Sequence, residues 1–245
     1  MFTLCERSDT MKIVLAPSKT MQKTKKHDYQ TAPLFLEKQT TVLAFLKKKS
    51  VKELMEYFEV SEKIAQENYD RFQSYDPTNT ALFTYTGQQF KHLDVNTLDD
   101  ASIDYLFGHL LVMSAMYGLV RGKDKIGLYR LPMALKIEED PLVSFWKDTI
   151  STYLEGETVI NLASKEYFDA IDRSRVHLID IDFLEKKNGK YRKYAMQVKK
   201  MRGLMTRFMA LNQVTDIKTL KTFNEEGYQY IDAKSTPTTL TFIKE

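Results

Sequence analysis

The segment VKKMRGLMTRFM, residues 198–209, combines apolar residues at helical spacing with a dense set of cations. The spacing predicts a helix whose polar face surrounds Gly203, although glycine in a helix interior costs about 1 kcal/mol relative to alanine. A missing side chain would let a phosphate group approach while neighbouring cations bind it, and the alternative is close packing of a second helix. We predict the phosphate contact. The cations of this helix are Lys199, Lys200, Arg202 and Arg207.

Positive charge is concentrated in the same part of the chain. Residues 186–207 contain nine Lys and Arg residues and no Asp or Glu, so the rest of the chain carries a net charge of −6 although the whole chain carries +3. Such a concentration is typical of a protein that binds a polyanion, and the alternative is an ordinary solvated surface. Tyr191 and Tyr194 are interleaved with these cations, and they either stack on exposed bases or face the core.

Polar side chains also follow two predicted strands. KIVLA, residues 12–16, runs into a polar loop, and TVINLAS, residues 158–164, runs into a helix. Ligands of α/β proteins often contact such strand ends. The amide of Asn161 would orient a base or a phosphate there, whereas Ser164 would also serve as an N-cap. The candidate residues of the two segments are Ser18, Lys19, Asn161, Ser164 and Glu166.

A glycine-containing turn provides the remaining candidates. The pattern LDDASIDYLFGHLLVMSAMYG, residues 98–118, predicts a long helix that ends at Gly118, and a turn with Gly122 follows. Turns of this kind between helices offer backbone N–H groups to phosphates, so we predict an element resembling a helix-hairpin-helix. A plain turn with an Arg–Asp ion pair is the alternative. The candidate residues are Arg121, Asp124, Tyr129 and Arg130.

The elements that position these residues predict a mixed architecture. About seven strands and seven helices occur in mixed order, including two or three helices over residues 36–75, a strand at ALFTYTG (81–87) and a hairpin at Asn188-Gly189. With 6 Pro, 9 Gly and no linker-like run, we expect a single compact mixed α/β (α+β) domain, a mixed sheet flanked by helices. We place this domain at residues 11–245 and treat residues 1–10 as an N-terminal extension.

Several classes of function lack their signatures. There is no Walker loop or dinucleotide glycine motif, and the four histidines have no metal-ligand spacing, so we expect no metal and no cofactor. The absence of a Glu-x-x-His pair argues against an iron-storage protein. The lone cysteine, Cys5, and the absence of a signal peptide or long apolar run predict a cytoplasmic protein without a membrane partner.

Five of these segments resemble, in order, the YaaA family of bacterial peroxide-stress proteins. They are LAPSKT, MYGLVRGKDKIGLYRL, VINLASKEYF, KKMRGLMTRF and FNEEGY, and the similarity extends from about Lys12 to Tyr230. The resemblance implies the cantaloupe fold, a positively charged cleft with a helix-hairpin-helix element, DNA binding with little sequence preference, and low free iron during peroxide stress. The matching positions include Arg121, Arg130, Arg202 and Gly203 and extend the site to Tyr167 and Asn224.

The chain also departs from the family pattern. Where the family usually has a G-D-V-Y run, this sequence reads GQQF, with Gln88 and Phe90. Gly122 replaces a usual proline and Pro132 a usual glutamate. The chain therefore lacks carboxylates that would be needed if relatives performed chemistry with them.

We therefore expect a monomeric protein that binds double-stranded or structured DNA and helps limit iron-driven damage, with no catalytic residue assigned. This function predicts an open basic groove joining Lys19, Arg121, Arg130 and the 199–207 helix. The alternative is an enzyme acting on a nucleotide, a nucleobase or damaged DNA, which predicts a pocket around Lys19, Asn161, Glu166 and Arg202. An open groove favours the first function and a deep pocket the second, and the two can coexist, because DNA-repair enzymes combine a groove with a pocket.

Overall fold

An eight-stranded mixed β-sheet forms the centre of the protein in the computed structural model, which describes residues 11–24 and 30–245. The strands are β1 Lys12–Leu15, β2 Asn79–Thr80, β3 Leu110–Ser114, β4 Gly118–Arg121, β5 Lys125–Ile126, β6 Lys136–Ile137, β7 Asp140–Pro141, β8 Thr158–Leu162, β9 His177–Lys187, β10 Lys190–Arg192, β11 Tyr228–Tyr230 and β12 Thr239–Lys244. The helices are α1 Leu36–Lys47, α2 Val51–Phe58, α3 Glu62–Gln73, α4 Ala81–Thr84, α5 Gln88–Leu93, α6 Asp100–His109, α7 Leu142–Leu154, α8 Lys165–Phe168, α9 Ala195–Leu211 and α10 Ile217–Leu220. The predicted extension, residues 1–10, lies outside the described residues. The described residues form one compact mixed α/β domain, as expected.

The strand order places a switch point beside β1. The order is β11-β12-β9-β8-β1-β3-β4, with β10 paired to the far end of β9. β1 is parallel to both β3 and β8, and β8 is parallel to β9. The next strand of this sheet along the chain after β1 is β3, which lies on one side of β1, whereas the next after β8 is β9, which lies in the opposite direction. Open α/β sheets bind ligands at such a switch point, beyond the carboxyl ends of the strands.

The apolar run of β1 is the middle of the core. Ile13, Val14 and Leu15 have no exposed surface, as expected for a parallel strand covered on both faces. Trp146 of α7 is equally buried, and its indole N–H donates a hydrogen bond to the carbonyl of Ala115 at 2.8 Å. The largest apolar side chain of the chain is thereby fixed beside the sheet without an unpaired polar atom.

Several predicted elements are confirmed. The helices predicted over residues 36–75, two or three in number, are the three helices α1, α2 and α3, and α2 begins at a capping box in which Ser50 and Glu53 bond each other's backbone N–H groups. The hairpin between β9 and β10 turns at Asn188 and Gly189, both with positive φ (51° and 73°), the geometry that this dipeptide favours.

Two predicted elements are wrong, and one of them removes the helix-hairpin-helix. The helix predicted for residues 98–118 ends at His109, and the chain continues as β3, which pairs with β1 and then with β4. Residues 110–126 therefore form strands and turns, because pairing with a buried strand outweighs a local helical pattern. Gly118 does not end a helix but begins β4 at φ 73°, where a side chain would collide with the ring of Trp146. The predicted strand at residues 81–87 is instead the short helix α4 followed by an extended segment.

Candidate functional site

A pocket of about 420 Å³ lies at the switch point of the sheet. It is lined by residues 16–20 after β1, residues 87–89 at the start of α5, part of the segment 129–134, part of the segment 164–167 after β8, and two residues of α9. Five separate segments thus meet where the topology favours a ligand. The volume is in the ordinary range for small-molecule sites, roughly 300–1,000 Å³.

Four cations from three of these segments line the pocket: Lys19, Arg130, Lys199 and Arg202. Lys19 and Lys199 are exposed, whereas the two arginines are partly buried. Nε of each arginine is buried and has no hydrogen-bond partner among the residues that the structure describes. A guanidinium placed in this way is suited to a carboxylate or phosphate ligand.

Burial disfavours the charged form of Arg202. Burial lowers the pKa of this arginine, and the nearby carboxylate of Asp182 only partly opposes that shift. Asp182 itself bonds Lys193 at 2.6 Å rather than the arginine. An anion in the pocket would therefore favour the charged form of Arg202.

The predicted pocket residues Ser18, Tyr129, Ser164 and Glu166 also line this cavity. Glu166 is exposed, and its Oε1 accepts the N–H of Met133 at 3.1 Å, which orients the carboxylate. Burial raises the pKa of Tyr129 to about 12, and its hydroxyl bonds Ser114 and Tyr85 at 2.6 and 3.0 Å. The Tyr129 side chain therefore stays uncharged and forms part of the pocket lining.

Ser18 is tied to the pocket wall by its own hydrogen bonds. Its hydroxyl donates to the carbonyl of Thr20 and accepts the N–H of Thr86 at 3.2 Å. Ser164 stands at the N-cap position of α8, as predicted, but its side chain makes no capping hydrogen bond. Its hydroxyl therefore does not make the N-cap hydrogen bond that the sequence suggested.

Close packing and side-chain hydrogen bonds fix α5 as one wall of the pocket. A side chain at Gly87 would bring its Cβ to 2.5 Å from Cβ of Ser18, so the β1 loop packs directly on this glycine. The side-chain amide of Gln89, which is buried, donates to the carbonyl of Ala16. At the other end, Arg207 donates to the carbonyls of Leu93 and Asp94, both at 3.0 Å.

The phosphate contact predicted for Gly203 is wrong. Gly203 is buried, and a Cβ there would lie 2.1 Å from the backbone oxygen of Gln89. The glycine allows α5 and α9 to pack with their backbones in contact, which was the alternative interpretation. The same packing engages Arg207 at the C-terminal end of α5, where a cation also complements the helix dipole. The structure therefore places neither residue in the pocket.

Asn161, predicted in the pocket, is buried beneath it. Its amide donates to Asp180 at 2.7 Å and its oxygen accepts the N–H of Ala163 at 3.0 Å. Asp180 also pairs with Arg173 at 3.0 Å. All of these groups are satisfied within the protein, so Asn161 holds the turn after β8 rather than a ligand.

The Arg121–Asp124 pair is structural, as the alternative interpretation had it. Asp124 has no exposed surface and accepts hydrogen bonds from the Arg121 backbone, the Arg121 guanidinium and Thr31 at 2.7–3.0 Å. Arg121 also donates to the carbonyl of Ala32 at 2.8 Å. Neither residue lines the pocket, so the predicted groove that included Arg121 is not formed in that way.

Two other candidates lie away from the cavity. Lys200 pairs with Glu226 at 2.9 Å, on the side of α9 that faces His92. Asn224 is exposed in the loop before β11 and does not line the pocket.

The concentrated positive charge of residues 186–207 is partly neutralised by internal contacts. Besides Lys200, two further lysines form ion pairs, Lys186 with Glu245 at 3.0 Å and Lys193 with Asp182. The hairpin of β9 and β10 carries exposed cations that form no ion pair with any residue the structure describes. They are Lys187, Lys190 and Arg192. Tyr191 on this hairpin is 40% exposed and lies under the ammonium of Lys234, 5.1 Å from the ring centre.

Sequence reasoning missed the wall formed by Gln88, Gln89, Leu131 and Pro132. Two of these, Gln88 and Pro132, are positions at which the chain departs from the family pattern, and that departure was the signal that could have found them. Within the described ranges 11–24 and 30–245, no cluster of His, Cys, Asp and Glu could hold a metal ion. Across the same ranges, every helix is too short or too polar to cross a membrane.

Comparison with known proteins covers nearly the whole chain. The family model described as peroxide stress protein YaaA matches residues 11–234. A UPF0246 protein of Francisella tularensis subsp. novicida is 37% identical over 240 residues, which cover 90% of this chain and 94% of that protein. A UPF0246 protein of Francisella philomiragia subsp. philomiragia is 36% identical with the same coverage. All five pocket-forming segments lie within the matched region.

Proposed function

We propose that this chain, which belongs to the family of peroxide stress protein YaaA, acts in the peroxide-stress response by binding DNA without sequence preference. We place this activity in the cytoplasm and assign it to a monomer. One observation carries the proposal: four cations from separate parts of the chain converge on one pocket, and none forms an ion pair with a described carboxylate. Cations held together in this way bind phosphates, and phosphate contacts carry no sequence information.

The exposed cations are the ones that would contact a duplex. Lys19 and Lys199 line the pocket with exposed side chains, and Lys187, Lys190 and Arg192 extend the positive surface along the hairpin. A duplex is too wide to enter a cavity of about 420 Å³, so its backbone would lie across the mouth. Binding would be driven by release of the counterions condensed on DNA.

The same physical process connects DNA binding to iron. Condensed counterions on DNA include any divalent cations present, and bound protein replaces them at each contacted phosphate. Iron displaced from the DNA phosphates would react with peroxide away from the DNA. Limitation of iron-driven damage would then follow from coverage of phosphates and would need no iron site in the protein.

Salt-dependent DNA binding tests the proposal. We expect the wild type to bind random-sequence duplexes, with log K falling linearly against log salt concentration. Lys19→Gln/Lys199→Gln should weaken binding at low salt and reduce the slope by roughly 0.9 for each phosphate that the protein no longer neutralises. The matched control is Lys52→Gln/Lys63→Gln, which removes two exposed lysines from α2 and α3, outside the pocket. Failure of the wild type to bind, or an equal effect of the control, would refute the proposal.

Plasmid nicking by ferrous iron and hydrogen peroxide tests the connection to iron. Wild-type protein should reduce nicking at concentrations that saturate DNA, and the Lys19→Gln/Lys199→Gln protein should protect less at the same concentration. Equal protection by both proteins would show that phosphate coverage is not the cause.

The shape of the site supports a second candidate, an enzyme acting on a nucleotide, a nucleobase or damaged DNA. The cations surround a partly enclosed pocket, and among the described residues Glu166 is the carboxylate that lines it. Turnover of nucleotides or of damaged oligonucleotides, lost in Glu166→Gln, would support this function. No turnover across both substrate classes would leave DNA binding alone.

A further inference from the structure

Two arginines that line the pocket each have a buried Nε without a hydrogen-bond partner. In the part of the chain that the structure describes, four buried side-chain nitrogen or oxygen atoms have no hydrogen-bond partner. Two of them, Nε of Arg130 and Nε of Arg202, belong to residues that line the same cavity. A buried donor on a charged group is costly to leave unpaired, so two such donors at one cavity indicate a missing acceptor.

The charges of the cavity define that acceptor. Its lining carries four cations and one carboxylate, Glu166, so it has a net charge of +3. A phosphate monoester has a charge of about −1.5 to −2 at neutral pH and three acceptor oxygens. It neutralises at least half of the surplus charge of +3 and offers acceptors to both guanidinium groups, because an arginine binds phosphate through parallel N–H groups.

The size of the cavity limits what is attached to that phosphate. About 420 Å³ admits a drug-sized molecule but no duplex. A single nucleotide can enter, either free or turned out of a DNA strand. The rest of the lining suits such a ligand, because Leu131, Pro132 and Tyr167 provide apolar and aromatic surface beside the cations.

Glu166 provides a group that would select the base. Its Oε1 accepts the N–H of Met133, which holds the carboxylate in the lining with acceptor capacity remaining. A carboxylate accepts hydrogen bonds from the exocyclic amino group of cytosine and rejects the carbonyl that thymine has at the same position.

We propose that the pocket binds one nucleotide, with Arg130 and Arg202 as ligands of its phosphate and Glu166 as acceptor for an exocyclic amino group of its base. This site deepens the proposed function. It rests on that function only if the bound nucleotide is part of a DNA strand. Phosphate binding by the two arginines does not depend on whether a duplex lies across the mouth.

Calorimetric titration with dCMP, dTMP and inorganic phosphate tests the site. The wild type should bind dCMP more tightly than dTMP, and dTMP more tightly than phosphate. Arg130→Gln and Arg202→Gln should each weaken dCMP binding roughly ten- to a hundredfold, as expected for a charge-assisted hydrogen bond. Glu166→Gln should reduce the preference for dCMP over dTMP and, because the residue is exposed, should fold normally.

The control is Lys165→Gln, which removes a neighbouring cation that is paired with Asp169 and does not line the pocket. Equal affinity for dCMP and phosphate, no binding of either, or an equal loss in the control would overturn the proposal. Competition by a single-stranded oligonucleotide would identify DNA as the source of the nucleotide, and binding of dCMP without competition would identify a free nucleotide. If the wild type binds dCMP but shows no salt-dependent binding of duplex DNA, the proposed function is refuted and the nucleotide site is not.

Discussion

Replacement of Gly203 by alanine tests how α5 is held against α9, and so how the pocket wall is built. The new Cβ would lie 2.1 Å from the backbone oxygen of Gln89 and 3.0 Å from Cβ of His92, whereas ordinary contacts begin near 3.4 Å. The closest atom belongs to backbone, so it cannot rotate away. The two helices would have to separate by about 1 Å, and overpacking of this kind costs about 1–3 kcal/mol.

The expected stability change combines two opposing effects. Alanine favours the helix by up to about 1 kcal/mol over glycine, and the collision with backbone places the packing cost at the upper end of its range. We expect a net loss of about 2 kcal/mol, which lowers Tm by about 4–8 °C for a chain of this length. Thermal denaturation followed by circular dichroism measures the change.

Gly108→Ala is the matched control for this prediction. Gly108 lies in α6, and a Cβ at this position would have no neighbouring atom within 4 Å, so only the helix preference acts and Tm should rise or stay unchanged. A Gly203→Ala protein with wild-type Tm but weaker DNA binding would contradict the packing role of Gly203, because that result is expected if the glycine makes room for a phosphate rather than for α5.

Two further substitutions test contacts that the sequence suggested for binding and the structure assigns to folding. Asp124→Asn should destabilise the protein by about 1–3 kcal/mol in denaturant unfolding, because it weakens the hydrogen bonds that the buried carboxylate accepts from Arg121 and Thr31, and a wild-type midpoint would contradict this. Arg207→Gln should lower the free energy of unfolding by about 1–3 kcal/mol, because it removes hydrogen bonds to two backbone carbonyls. DNA affinity measured on folded protein should stay unchanged. A smaller salt dependence of binding would show instead that Arg207 contacts DNA.

Much of the fold is visible in the sequence because local and tertiary preferences agree there. The apolar run of β1, the amphipathic helices α1 to α3 and the Asn188-Gly189 turn each have one favourable structure. Residues 110–114 are the exception, because LLVMS suits a buried helix as well as a buried strand. Only pairing with β1 decides between them, and no local pattern reveals that pairing.

The candidate site was predictable in part for a similar reason. Ser18, Glu166 and Arg202 follow strand ends or lie on a basic face, and the structure brings all three to one pocket. Gly203 and Asn161 have the same sequence signals but face inward, since burial and hydrogen-bond partners depend on which element packs above them. Sequence gives the residue types near a site, and only the packing shows which of them are left without a partner.

Contact between the pocket arginines and phosphate is the property on which the proposed binding site depends most directly. Side-chain Nε–Hε signals of arginine can be followed by NMR while a short single-stranded oligonucleotide is added. If Arg130 and Arg202 bind phosphate, their signals shift together and saturate, whereas those of Arg121 and Arg207, which are bonded within the protein, stay in place. Shifts at Arg121 or Arg207 without change at Arg130 and Arg202 would contradict phosphate binding by the pocket arginines.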